Sequence, residues 1–195
     1  MCSLAPSTIA RRIQRGFTLV ELLIVVIILA VLSSIVIPQF SSSTTEAKEA
    51  ALTANLSVMR SAIELYRAQH GGKNPGESTA VSATGQCTSG TAIADGTAAD
   101  DTERAKAMRY QLTLYSNING ETCNGVQGAN AKYGPYLRSG IPQDPIKDTV
   151  ATGVKAVAKA GVLVVADVDS STSIGWLYNP TTGEIRHNST AYIAR

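Results

Sequence analysis

The chain has very little net charge: 17 Lys and Arg stand against 15 Asp and Glu, a balance of +2. Without a basic excess or a basic stripe, the totals point to no nucleic-acid partner. Histidine is scarce as well. His70 and His187 are the only two, and neither sits in a metal-ligand or triad pattern, so the residues for nucleophilic, acid–base or metal chemistry are not gathered. Glycine-rich stretches such as GVQGAN lack both the strand–loop–helix frame and the lysine that a phosphate cradle requires. These absences turn the reading away from an enzyme and towards a structural or binding role, with no catalytic residue and no resident cofactor expected.

What is present is concentrated at the start. Residues 17–37, FTLVELLIVVIILAVLSSIVI, contain no Lys or Arg and a single acid, Glu21. As a helix this run spans about 31 Å, close to the hydrocarbon thickness of a bilayer. Its apolar residues are too continuous for one face of a soluble helix. Arg11, Arg12 and Arg15 precede it with no acid among them, which holds the N-terminal side in the cytoplasm. The first sixteen residues read as a short basic leader. They differ from an ordinary secretory signal, because the apolar run follows the glycine and ends without a small-residue cleavage site.

Beyond Pro38, Leu52, Leu56, Met59, Ile63 and Tyr66 recur at spacings of four and three and form one helical stripe. Gly71 and Gly72 terminate it. The pattern predicts one helix from about Phe17 to His70, its first half bare and its second half amphipathic. Pro38 removes a backbone donor, so a kink or local melting is expected there. Residues 73–101 read as a long irregular loop. A second helix is expected on the face shared by Ala105, Met108, Leu112 and Tyr115, although QLTLY also alternates in the manner of a strand. GVLVVADV reads as a strand, and IGWLYN with GEIRHN as a hairpin across NPTTG. The class is α+β, with a small C-terminal antiparallel sheet on the amphipathic half of the helix.

Of the three cysteines, Cys2 precedes the arginines, while Cys87 and Cys123 lie in the polar part. Export of that part favours a Cys87–Cys123 disulfide; two free thiols in a cytosolic domain are the alternative. The bond would close a loop of roughly 37 residues, for about 3–4 kcal/mol of stabilisation.

Gly16 followed by FTLVELLIVVIILAVLSSIVIPQF closely resembles the N-terminus of type IV pilins and type II secretion pseudopilins. The features that carry the resemblance are the basic leader ending in Gly, the Phe that follows it, and, counting that Phe as the first, the Glu at the fifth position and the Pro at the twenty-second. YGPYL, IPQDP and GWLYNPTTGEI are more loosely similar to segments of major pseudopilins and short pilins. The resemblance implies cleavage between Gly16 and Phe17 by a prepilin peptidase that also methylates the Phe17 amine. It divides the chain into a removed leader (1–16), a transmembrane and filament-core helix (17–40) and an exported head (41–195). It implies a subunit first held in the inner membrane, then polymerised with identical copies into a periplasmic or cell-surface filament by an assembly platform and its ATPase.

A lone carboxylate in hydrocarbon costs about 2.5–3.5 kcal/mol and marks a function and a partner. With no cation in the span, the amine freed at Phe17 is the available counter-ion for Glu21, within one chain or between neighbours. The family uses the second, and the acid thereby sets the stagger of an incoming subunit. A surface pilus and the pseudopilus of type II secretion share this stem, and a monomeric membrane-anchored binding protein is the rival of another class. DVDSST and Asp144 with Asp148 offer oxygens for calcium, which major pseudopilins bind in a late loop, but the extended acidic C-terminal loop they use is missing. Asn188-Ser-Thr is a weak glycosylation sequon.

Overall fold

The computed structural model describes residues 16–77, 90–92, 100–125, 131–147 and 152–194. The chain divides into two compact units, Met1–Thr45 and Glu46–Arg195.

Helix α1 runs Leu19–Gln69, 51 residues without interruption, so the backbone stays helical through Pro38. In the first unit every described side chain of α1 is exposed, and the span carries a mean hydropathy of 3.1 in its most apolar window. It is long and apolar enough to cross a membrane. Hydroxyls fold back onto this helix: Ser34 Oγ donates to the Val31 carbonyl at 2.7 Å, and Ser42 and Ser43 both donate to that of Gln39. Such back-bonding keeps polar groups satisfied without water.

In the second unit α1 is amphipathic as its spacing predicts. Leu52, Leu56, Met59, Ile63 and Tyr66 are buried in one core with Met108, Leu112, Val154, Trp176, Tyr178 and Ile185. Helix α1 ends at Gln69, and Gly71 and Gly72 follow with positive φ, where a side chain would be strained. Helix α2, Asp101–Thr113, is capped by Asp100, whose side chain accepts from the Glu103 N–H at 2.9 Å. It contributes Met108 and Leu112 to the core and ends before Tyr115, which begins a strand. The QLTLY stretch is therefore helix in its first part and strand in its last residue.

Two small sheets complete the head. The first has order β1 (Gly90–Ala92), β3 (Thr122–Gly125), β2 (Tyr115–Ser116), all antiparallel. The second has order β4 (Gly153–Ala156), β5 (Ile174–Asn179), β6 (Glu184–His187). The hairpin β5–β6 is the expected one, with Trp176 opposite His187 and Asn179 opposite Glu184. Along β5 the side chains alternate: Trp176 and Tyr178 face α1, whereas Leu177 packs on the other side with Leu163 and Ile193.

Two expectations are corrected. The second sheet is mixed, because β4 joins β5 in parallel. And GVLVVADV is not a strand: it runs extended without a ladder partner and closes in a 3₁₀ turn at Val165–Asp167. The place beside β5 is filled by GVKA, and the valine run joins neither sheet. Its backbone bonds to side chains instead, Leu163 N–H to Glu184 Oε2 and Val164 N–H to Asp167 Oδ2. β-Branched composition favours a pleated surface only where a neighbour exists to pair with.

Candidate assembly site at the start of the long helix

Residues 16–18 precede α1 in non-helical conformation and are exposed. The Gly16–Phe17 peptide bond therefore lies outside the helix. A Cβ added at Gly16 would meet nothing within 4 Å. Phe17 is 82% exposed.

Glu21 sits at the third helical position, and Thr18 is the residue before the first. The two form a reciprocal pair. Thr18 donates its backbone N–H to Glu21 Oε2 at 2.9 Å and its hydroxyl to the same oxygen at 2.8 Å. The Glu21 N–H in turn donates to Thr18 Oγ1 at 3.2 Å. This is a capping box, which satisfies otherwise orphaned donors at a helix start and places a negative charge where the helix dipole favours it. The signature T-x-x-E is present in FTLVE, and Thr18 is a neutral partner that a counter-ion to Glu21 does not imply.

The box has a chemical consequence. Both bonds from Thr18 fall on Oε2; among the described residues Oε1 accepts none. A carboxylate has about four lone-pair sites, so it can take a further donor while the box is kept. Thr18 thus holds the acid towards the chain end, where cleavage would create an amine.

Pro38 is helical in its backbone. Cys123 is buried in β3, and Cys87 lies outside the described residues.

Residues 11–37 match the family described as the prokaryotic N-terminal methylation motif. This is a prepilin-type N-terminus. The motif takes in the arginines, the Gly16–Phe17 bond, the capping box and the apolar span. Among relatives, the type II secretion system core protein G of Pseudomonas aeruginosa is 37% identical over 57 residues, 29% of this chain and 40% of that protein. Prepilin peptidase-dependent protein D of Escherichia coli is 45% identical over 62 residues, 30% of this chain and 40% of that protein. The core protein G of Klebsiella michiganensis is 32% identical over 57 residues, again 29% and 40%. The chain thus matches about two fifths of the length of these relatives. No solved structure matches it.

The head holds its remaining polar candidates in structural bonds. His70 stacks on Tyr66, with ring centroids 3.8 Å apart, and its ring nitrogens meet the Tyr66 carbonyl and Ser116 Oγ at 2.9 and 3.0 Å. His187 Nε2 meets Asp144 Oδ2 at 2.9 Å, both residues buried. The calcium-type acids are engaged by lysines: Asp167 pairs with Lys159, and Asp169 with Lys155 at 3.2 Å. Asp148 lies outside the described residues. Asn188 is 1% exposed, and its amide bonds the Asp169 N–H and the carbonyls of Asp169 and Ile174. An asparagine so enclosed is a structural clamp, with no amide free for a glycan.

Proposed function

We propose that this chain is a structural, non-enzymatic subunit of a pilin-type filament, cut between Gly16 and Phe17 and methylated on Phe17. The leader is 1–16, the stem 17–40 and the exported head 41–195. Before assembly the stem lies in the inner membrane with its N-terminus cytoplasmic. Afterwards it packs with identical stems in the filament core, at the periplasm or cell surface. Exchange of lipid for protein contacts is nearly neutral in hydrophobic terms, so assembly draws on close packing, on Glu21 and on external work from an assembly ATPase and its membrane platform. In this reading Glu21 Oε1 takes the Phe17 amine of a neighbouring copy while Thr18 keeps Oε2. A wrong stagger leaves a charge unpaired among hydrocarbon.

One observation carries the reading: an exposed apolar span whose single acid is clamped towards the Gly16–Phe17 bond inside a methylation motif. The test is the mass of the mature N-terminus together with sedimentation of sheared fibres from Glu21→Ala cells. Cleaved, methylated subunits that fail to sediment support it; an intact leader in the polymer overturns it.

We assign the filament to a type IV pilus. The type II secretion pseudopilus is the second reading, favoured by the similarity to the core G proteins of type II secretion systems. The similarity to them is confined to about 57 residues, and a stem shared by both machines does not separate them. Fibres recovered from the medium favour the pilus. The Cys87–Cys123 disulfide belongs to the same reading. It is supported by Cys87 and Cys123 being the two cysteines beyond the span, in the part that the reading exports. Peptide mapping without reductant that found both thiols free would remove it. Pro38 marks where the stem could unwind on packing into the filament.

A further inference from the structure

We propose that the cleft between α2 and β4 is a binding site for a small organic carboxylate, with Arg109 as its anion-recognising group. The cleft encloses about 460 Å³, within the range of small-molecule sites. It exists because small residues face one another across it: Ala105 on α2, and Gly153 and Ala156 on β4. Gly153 is held small, since a Cβ there would come within 2.5 Å of the Ser173 carbonyl oxygen. With Val154 and Ile174 these residues make a mostly apolar lining.

The lysines around the cleft are paired with acids, and its acids are already engaged. Lys106 pairs with Glu103 at 2.7 Å and Lys155 with Asp169 at 3.2 Å. Asp101 Oδ1 accepts the Ala158 N–H, and Asp169 Oδ1 that of Ser171. Arg109 lines the cleft and is exposed, and among the described residues no carboxylate pairs with its guanidinium. A guanidinium is a rigid fork of donors that matches a carboxylate in bidentate fashion. Lys106 and Lys155 are taken up by Glu103 and Asp169, and Asp101 already accepts a backbone N–H, which leaves the Arg109 guanidinium as the lining cation with no carboxylate partner among the described residues. The fitting ligand lays a short apolar body on the lining and its carboxylate on Arg109. This site is separate from the stem and stands whatever the filament proves to be.

The test is a titration of the full-length chain in detergent micelles with sodium butyrate, followed by amide chemical shifts. Butyramide serves as the neutral isostere and inorganic phosphate as the anion without an apolar body. Saturable shifts confined to α2 and β4 are expected with butyrate and with neither control. Arg109→Gln is expected to weaken butyrate at least about tenfold, as loss of a charge-assisted bond implies. Arg109→Lys keeps the charge and is expected to lose less, which separates loss of recognition from loss of fold. No saturable shift, equal shifts with butyramide or phosphate, or unchanged affinity in Arg109→Gln would each overturn the assignment.

Discussion

Replacing His187 with alanine removes the partner of a carboxylate that the fold has taken fully out of water. Asp144 is 0% exposed and His187 1%. Burial pushes the Asp144 pKa up, but the hydrogen bond from His187 and those from the Ile146 and Lys147 N–H groups outweigh it and hold the carboxyl below its ordinary range. The alanine variant keeps the two backbone donors and loses the side chain at 2.9 Å. Breaking a buried pair from one side costs about 3–5 kcal/mol, because the surviving charge remains desolvated. For a head of this size each kcal/mol moves the midpoint by about 2–4 °C, so a fall of roughly 6–20 °C is expected. Trp176 reports the event directly. It is the one tryptophan, its ring meets His187 edge-on at 6.0 Å, and its Nε1 donates to the Pro142 carbonyl. Thermal melts of the full chain in micelles, followed by tryptophan fluorescence and far-ultraviolet circular dichroism, make the measurement. The sign in pH is also set: a depressed folded pKa gives stability that is present above about 3.8 and lost as pH falls through the folded value. A loss under about 1 kcal/mol, or an acid limb of the stability profile unchanged in Asp144→Asn, would refute the reasoning.

Further outcomes follow from other buried groups. Burial lowers the His70 pKa, against the raising effect of hydrogen bonds to the Tyr66 and Asn117 backbone, so the unfolded imidazole takes its proton first. The head should lose stability as pH falls below about 6.5, and His70→Gln should flatten that slope in melts at pH 5 to 8. Asn188→Ala leaves the Asp169 N–H and carbonyl without their partner, while the Ile174 carbonyl keeps Lys147, and is expected to cost about 1–3 kcal/mol. The intact mass of the wild-type chain should show no glycan at Asn188, and a glycopeptide there would contradict the clamp.

The parts of the fold with a long period were legible in the sequence. The stripe from Leu52 to Tyr66 predicted both the helix and its buried face, and IGWLYN with GEIRHN predicted the hairpin, because turn residues and alternation agree locally. Strand β4 was not legible, since GVKA is four residues with little propensity of its own. It is a strand because Gly153 allows the chain to lie against Ser173, a non-local fact. GVKA, and not GVLVVADV, takes the place beside β5. In the candidate site, Glu21 stands out as the one acid in a bare apolar run, whereas Gly16 and Phe17 are singled out by the resemblance of the motif. Thr18 is not legible from charge, because it is a neutral donor.

The most direct test of the account is carbodiimide coupling in filaments assembled from a mixture of nitrogen-14 and nitrogen-15 subunits. A carboxylate touching an amine is converted to an amide, and the masses of the joined peptides tell whether both came from one chain. Glu21 joined to Phe17 in peptides of mixed isotope is the predicted product. Joined peptides of a single isotope alone, or none, would contradict the claim that this acid pairs between copies.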